Sequence, residues 1–226
     1  MKLSIIIPCY NEEATLASAL DAVMAVNMPK EIIIVDDGST DRTLDIARQY
    51  ERFDDVKIIA LPQNQGKGYA IREALNRVSG DIVIIQDADL EYDPKQIPAI
   101  VEPIIRGEAD VVYGSRFLGS IQGMRLPNLI ANRILAFLAS LLFRVRITDE
   151  ATCYKAFGVE TIKALDLKCK RFEFCPEVTA KLLKRRTKIL EVPISYVGRT
   201  AAQGKKITWM DGLEAIWTLI KYRFRD

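Results

Sequence analysis

Ile82-Val83-Ile84-Ile85, followed after Gln86 by Asp87-Ala88-Asp89-Leu90-Glu91, is the stretch on which the reading of this chain turns. Four β-branched residues in a row favour a strand, and a strand apolar on both faces belongs inside a parallel sheet. The chain then becomes acidic, with carboxylates at 87, 89 and 91. Asp is a common turn former, so an ordinary acidic turn is the plain alternative. At the end of a buried strand, however, carboxylates two apart can both face one site, and the small Ala88 lets backbone approach a ligand. Hard oxygen donors of this kind suit Mg2+ or Mn2+, which keep waters and take phosphate oxygens as further ligands.

Outward from this stretch, further strands are expected at Leu3–Ile7, Glu31–Val35, Val56–Ala60 and Val111–Tyr113. Helices fit between them near Glu12–Ala25, Asp41–Tyr50, Gly68–Val78 and Pro94–Arg106. The alternation predicts an α/β fold with a Rossmann-like, mostly parallel central sheet and flanking helices. The remainder is less regular: a helix over Leu129–Phe143, a polar segment Thr148–Lys155, a helix near Pro176–Arg186, a strand Ile189–Val192 and a final helix Thr208–Phe224.

Ligands of such sheets bind at the carboxyl ends of the strands. The first strand ends in Pro8-Cys9-Tyr10-Asn11-Glu12 and the second in Asp36-Asp37-Gly38-Ser39. With Asp87–Glu91, three acidic clusters converge on one edge, where they repel unless a cation or a donor-rich ligand is present. A carboxylate after the second strand can accept hydrogen bonds from a uracil or guanine ring, while Gly38 supplies a turn and Ser39 or Thr40 a helix cap. Arg116, in Gly114-Ser115-Arg116-Phe117, follows the fifth strand and can reach the same edge. Arg199 and Gly204-Lys205-Lys206 place cations in a glycine-bearing loop, a composition able to neutralise a diphosphate leaving group.

Composition narrows the field. The 226 residues contain no histidine, which removes His-based triads and His metal sites. A net charge of +2 gives no ground for nucleic-acid binding. The four cysteines include no Cys-x-x-Cys pair and point to a reducing, cytoplasmic setting. Asn64-Gln65-Gly66-Lys67-Gly68 lacks phosphate-loop spacing and reads as a glycine turn into a helix. An Asp-x-Asp phosphohydrolase would carry its motif after the first strand, not the fourth. The leading apolar run is too short for a signal peptide, and the run Ile134–Phe143 is too short to span a bilayer, so no transmembrane helix is expected.

In order and spacing, Pro8-Cys9-Tyr10-Asn11-Glu12, Asp36-Asp37-Gly38-Ser39, Asp87-Ala88-Asp89 and Gly114-Ser115-Arg116-Phe117 resemble family 2 glycosyltransferases. The likeness is greatest to the dolichol-phosphate mannose synthases and their bacterial polyprenyl-phosphate relatives, of the unanchored kind. It extends through Phe172-Glu173-Phe174, Glu177, Val192-Pro193-Ile194 and the Arg199–Lys205 loop. The resemblance implies a single GT-A domain over 1–226, with a nucleotide-sugar-binding half (1–117) and an acceptor-binding half (118–226). Pro8, Tyr10, Glu12, Val35 and Asp37 would hold base and ribose. Asp89 would be the principal Mg2+ or Mn2+ ligand, with Asp87 binding metal or ribose and Glu91 assisting. Arg116, Arg199 and Lys205 would contact the diphosphate or the acceptor phosphate. Asp149 lies where relatives have an acceptor-side acid, the candidate base for a hydroxyl acceptor.

The implied reaction is an inverting, in-line transfer of a hexose from a GDP-mannose- or UDP-glucose-type donor to a polyprenyl or dolichyl phosphate. Two alternatives stand beside it: a soluble or hydroxyl acceptor, and a catalytically idle nucleotide-binding scaffold. A lipid acceptor would need a bilayer. Trp209, Leu213, Trp217, Ile220 and Phe224 recur at helical spacing, opposite Glu214, Thr218, Lys221 and Arg225. Such a basic, Trp-bearing helix can lie in a membrane interface as a peripheral contact, as can the helix through Ile134, Phe137 and Leu141. Either stripe could equally pack on the sheet or on a second subunit.

Overall fold

The computed structural model describes residues 1–199 and 208–225. One seven-stranded sheet forms its centre: β1 (Leu3–Cys9), β2 (Lys30–Asp36), β3 (Val56–Ala60), β4 (Ile82–Ile85), β5 (Val111–Gln122), β6 (Lys155–Gly158) and β7 (Ile189–Val197), in the order β3-β2-β1-β4-β6-β5-β7. β1 pairs parallel with both β2 and β4, while β6 runs antiparallel to β4 and β5. The helices are α1 (Leu16–Met24), α2 (Thr43–Arg48), α3 (Lys67–Leu75), α4 (Ile97–Ile105), α5 (Leu126–Phe143), α6 (Val159–Lys163), α7 (Phe174–Lys184) and α8 (Trp209–Phe224).

The apolar strands bury both faces. Ile5, Ile7, Ile32, Ile34 and Ile84 join one core layer, with α1 and α4. Ile6, Ile33, Val35, Val83 and Ile85 join the other, with α3 and α7. This is the period-two alternation of a strand, with each successive side chain sent to the opposite layer. From β1 the chain builds outward to β2 and β3, then returns to place β4 on the other side of β1. The strand order thus reverses between β1 and β4, and a crevice opens beyond their carboxyl ends.

Four features depart from the sequence reading. Lys155–Gly158, expected to end a polar segment, forms β6, a four-residue strand inserted between β4 and β5. β5 runs twelve residues, to Gln122, and pairs with β7 across a register shift between Ser115 and Ser120. α5 begins at Leu126, and its 18 residues are long and apolar enough to cross a membrane by length and composition. The expectation that no helix meets that test is therefore corrected. Finally, Thr218, expected on the polar face of the last helix, is buried. The inward stripe of α8 is Ala215, Leu219 and Tyr222, packed with Leu135 and Ala139 of α5 and Ala180 of α7. The aromatic stripe points outward instead: Trp209, Trp217 and Phe224 are 77%, 61% and 75% exposed.

Candidate active site

A cleft of about 680 Å3 opens at the carboxyl ends of β1, β2 and β4. Pro8, Tyr10 and Glu12 line it from β1, Asp37 from β2, and Asp87, Ala88, Asp89 and Glu91 from β4. Arg116 and Arg199 line it too.

The acidic turn is built by Leu90, whose φ of +61° is costly for a bulky side chain. Across this reversal the Glu91 N–H donates to Asp89 Oδ1 at 3.0 Å. Asp89 Oδ2 accepts from Arg199 Nη2 at 2.9 Å, while Arg199 Nη1 donates to Glu12 at 3.0 Å. One guanidinium therefore joins the ends of β1 and β4. Burial first, then the charges of Asp87 and Glu91, push the Asp89 carboxyl up to about 7, against the pull of Arg199. A carboxyl raised by like-charged neighbours is one whose ionised form a cation stabilises, so Asp89 fits a metal ligand.

Glu91 turns its carboxylate to other work, accepting from the Tyr196 hydroxyl at 2.8 Å and the Arg199 N–H at 2.7 Å. Asp87 pairs with the Lys67 ammonium. Among the described residues, no group of three or more His, Cys, Asp or Glu is arranged to hold a metal ion. The expected trio of Asp87, Asp89 and Glu91 is thus not a closed set, and a cation here would draw further ligands from elsewhere.

Asp37 accepts from the N–H groups of Gln65 and Gly66, both at 2.8 Å. It therefore shapes the loop bordering the cleft, and burial raises its pKa. Gly38 makes that approach possible. Its φ is +69°, and a Cβ there would lie 2.5 Å from the Gln63 backbone.

Two expected residues do not line the cleft, and one lies outside the described residues. Val35 is fully buried beside Ile6 and Ile33, because strand alternation sends its side chain into the core. Asp149 is fully buried and grips Arg116: Nε and Nη2 each donate at 2.7 Å, and the Arg116 N–H at 2.9 Å. Glu191 in turn accepts from the backbone of Thr148 and Asp149. Arg116 sits at the β5–β7 irregularity, the kind of feature that re-aims a side chain. Lys205 lies outside the described residues.

The structure also brings in residues the sequence reading passed over. Lys67, read only as part of a glycine turn, lines the cleft between Asp87 and Cys153, whose Sγ is 3.1 Å from its Nζ. The signal was present, a lysine between two glycines before a helix, but a phosphate-loop template could not interpret it. Tyr196 packs on Tyr92, with the Arg116 guanidinium 5.2 Å above its ring. Glu150 is buried without a hydrogen-bond partner for either carboxylate oxygen, and burial pushes it up to about 8 against the charge of Lys155. At the far end, the same cleft is walled by Asn128, Ala131 and Ile134 of α5 and by Trp209, Leu213 and Ile216 of α8.

A family model described as "Glycosyl transferase family 2" matches residues 4–165. The chain is 30% identical over 200 residues to the low-salt glycan biosynthesis hexosyltransferase Agl6 of Haloferax volcanii, covering 86% of this chain and 47% of that one. It is 30% identical to the UDP-N-acetylglucosamine–dolichyl-phosphate N-acetylglucosaminyltransferase of Methanococcus voltae, covering 96% and 94%. It is also 30% identical to the dolichol-phosphate mannosyltransferase of Pyrococcus furiosus, covering 98% and 64%. The chain thus spans about half to two thirds of two of these relatives and nearly all of the third. Among solved structures, glucosyl-3-phosphoglycerate synthase of Mycobacterium tuberculosis, crystallised with Mn2+, UDP and phosphoglyceric acid, superposes with a TM-score of 0.77. That match is 24% identical and covers 100% of this chain and 79% of that one, a likeness of fold. The acidic crevice at the β1–β4 reversal, the GT-A architecture around it and the match across most of the sheet lead to one assignment: the chain belongs to glycosyl transferase family 2.

Proposed function

We propose that this glycosyltransferase moves a hexose from a nucleoside diphosphate donor, held at the ends of β1, β2 and β4, to a polyprenyl phosphate presented by a membrane. The observation that carries the reading is the continuity of the cleft. One cavity joins Asp37, Asp87 and Asp89 to α5 and α8, where Ile134 and Leu213 are exposed on its wall and Phe137, Leu141 and Trp217 are exposed outside it. A phosphate on a long apolar tail matches both ends of that path. Two of the relatives above are named for dolichyl or dolichol phosphate.

We assign residues 1–117 to the donor and 118–226 to the acceptor, with Arg199 reaching back from the second half to Glu12 and Asp89. Pro8, Tyr10 and Asp37 border the base and ribose. Asp89, with Asp87, would hold Mg2+ or Mn2+, the remaining ligands coming from diphosphate oxygens and water. A bound divalent ion supplies charge neutralisation on the departing nucleoside diphosphate. Arg199 and Arg116 add fixed positive charge beside the same groups. The acceptor needs little help from a base. Asp149 is committed to Arg116 and Glu150 is held largely neutral, which disfavours a hydroxyl nucleophile. A phosphate monoester is already anionic. The apolar helices and four free thiols fit a protein resting on the cytoplasmic face of a membrane.

The test is thermal stability with Mn2+ or Mg2+ and a panel of nucleoside diphosphates, followed by transfer of labelled sugar. One nucleotide should raise the midpoint only with metal, by about 2.7 kcal/mol of stability at a hundredfold excess over Kd. Asp89→Asn should lose that shift while melting as a folded protein. Labelled sugar should pass to a polyprenyl phosphate and not to the matching polyprenol. No shift with any nucleotide would overturn the donor assignment, and product from the polyprenol alone would overturn the acceptor assignment.

A further inference from the structure

Residues 149–153 lead from α5 into β6, and both ends of this turn are held by residues of the cleft. At one end Asp149 grips Nε and Nη2 of Arg116, each at 2.7 Å. At the other, Cys153 Sγ lies 3.1 Å from Nζ of Lys67, the ion-pair partner of Asp87. Lys155 Nζ donates to the carbonyls of Glu150 at 2.6 Å and Thr152 at 2.5 Å, which fixes the backbone between. The Glu150 side chain gains nothing from this framework. It is fully buried, it lines the cleft, and among the described residues neither carboxyl oxygen has a hydrogen-bond partner. The Thr179 hydroxyl of α7 is paired with that of Tyr113 at 2.9 Å. The Lys155 ammonium is spent on its two carbonyls and on the Tyr113 ring, 4.1 Å from the centroid. A buried carboxyl without partners costs stability, so its retention calls for a partner from outside the chain.

We propose that Glu150 is a sugar-binding residue, its carboxyl taking a pair of hydroxyls on the hexose being transferred and thereby selecting the donor sugar. The inference rests on the donor reading and deepens it, from the nucleotide to the sugar. Place and chemistry agree. The turn is tied to Asp87 through Lys67 and to Arg116 through Asp149. Glu150 therefore stands between two groups that the donor reading puts beside the diphosphate, where the attached sugar belongs. Pro8, Tyr10 and Asp37, which border base and ribose in that reading, come instead from the ends of β1 and β2. A phosphate is repelled by this carboxyl once it ionises, and an apolar tail offers it no hydrogen bond. Sugar hydroxyls both donate and accept. Burial, against the charge of Lys155, raises the group to about 8 and keeps it mostly protonated at neutral pH. One oxygen then donates while the other accepts, a two-point match for neighbouring hydroxyls. A sugar lacking one of them leaves the carboxyl unpaired, the condition under which hydrogen-bonding sites discriminate strongly.

The experiment measures calorimetric affinities of the wild type and Glu150→Met, with Mn2+, for UDP and GDP and for UDP-glucose, UDP-N-acetylglucosamine and GDP-mannose. The melting temperature of each protein is taken alongside. Glu150→Met should melt at or above the wild-type temperature, because it removes an unpaired buried carboxyl. Its affinity for the nucleoside diphosphate should be unchanged, while that for the matching sugar nucleotide falls by about tenfold or more. Glu150→Gln, which keeps a donor and an acceptor, should retain most of the wild-type affinity. A donor deoxygenated at the hydroxyl in question should lose affinity for the wild type and none for Glu150→Met. Equal losses for both ligands would mark a residue that only supports the cleft wall, and would overturn the assignment. So would unchanged sugar-nucleotide affinity, the mark of a carboxyl answered by a buried water, or a loss confined to the KM of the acceptor. If Glu150→Met does not fold, Glu150→Asp, which withdraws the same carboxyl by one methylene, is judged by the same comparison. A wild-type protein that binds no nucleoside diphosphate overturns the donor reading itself. One that binds it, with no sugar-specific difference between wild type and variant, overturns this assignment alone.

Discussion

At the scale of single residues, the departure that most changes the chemistry is Asp149. Sequence position marks it as an acceptor-side acid, and its type is right for a base. The structure uses both of its oxygens to hold Arg116, so the carboxylate positions the guanidinium and has little left for substrate. Removing one partner of a buried pair leaves the other charge stranded, at a cost of about 3–5 kcal/mol. Asp149→Ala should therefore lower the urea midpoint markedly as well as turnover. A variant with wild-type stability and no turnover would return Asp149 to the role of base. Glu31 makes a comparable point far from the cleft. Burial would raise its pKa, but hydrogen bonds from Lys57, Ser4 and Ser79 outweigh it and hold the carboxyl at about 2, against an ordinary 4.5. A depressed carboxyl stabilises the fold above its unfolded pKa, and that contribution is lost as pH falls from about 4.5 toward 2. Because Lys57 and Lys2 are partly exposed and screened, we expect roughly 1–3 kcal/mol from this source. Glu31→Gln should flatten that part of the acid limb in denaturation measured at pH 6 and pH 3, and parallel curves for both proteins would exclude the linkage.

Elements were legible where their pattern is locally complete. β1 to β4 and the helices between them fall where alternating β-branched and amphipathic stretches place them, with ends differing by a few residues. The acidic ends of β1, β2 and β4 gather as the sheet rule requires. What the pattern could not carry was long-range pairing. β6 is four residues long and owes its existence to antiparallel partners on both sides, neither adjacent in sequence. The outer part of β5, Ser120–Gln122, is likewise a strand because β7 lies beside it. The surroundings of Asp149 likewise come from distant elements, Arg116 on β5 and Glu191 on β7, whereas strand alternation alone sends Val35 into the core. Gly38 was read correctly, as a turn, and its position makes a sharper claim than its type. Left-handed backbone costs a non-glycine residue roughly 1–2 kcal/mol, and a methyl group here also meets the Gln63 backbone at 2.5 Å. Gly38→Ala should destabilise by about 2 kcal/mol or more. It should also weaken nucleotide binding beyond what stability explains, since the displaced 63–66 loop carries the N–H groups that Asp37 accepts. Unchanged nucleotide affinity in a folded Gly38→Ala protein would separate that loop from the donor site.

For the whole molecule, the decisive asymmetry is that the sheet buries its apolar surface while α5 and α8 do not. Sequence left two readings of the aromatic stripe open, inward packing and outward display, because helical periodicity reports a face without saying what covers it. Small residues settle it here: Ala136, Ala139 and Ala215 let the two helices and α7 pack closely, and the large side chains remain outside. Lys221 and Arg225 lie beside Trp217 and Phe224, the Arg223 guanidinium is 5.9 Å from the Phe224 ring, and Arg125, Arg133 and Arg144 are exposed along α5 and at its ends. Apolar aromatics beside cations match an anionic bilayer surface, each basic residue adding about 1 kcal/mol near it. The contact of α5 with α7 and α8 argues for a helix lying along the interface, not one leaving the fold to cross it. The protein should therefore co-sediment with vesicles containing anionic phospholipid, and less so with neutral vesicles or at high salt. Phe137→Ser and Trp217→Ser, at side chains 68% and 61% exposed, should preserve the melting temperature. Each should lower partitioning by about tenfold or more, the loss expected for one buried aromatic side chain. Activity toward a short-chain, water-soluble acceptor phosphate should survive both changes, while activity toward a vesicle-bound one should fall. If the variants bind vesicles normally but dissociate a dimer in sedimentation, the stripe is a subunit interface, and the acceptor must reach the cleft by another route.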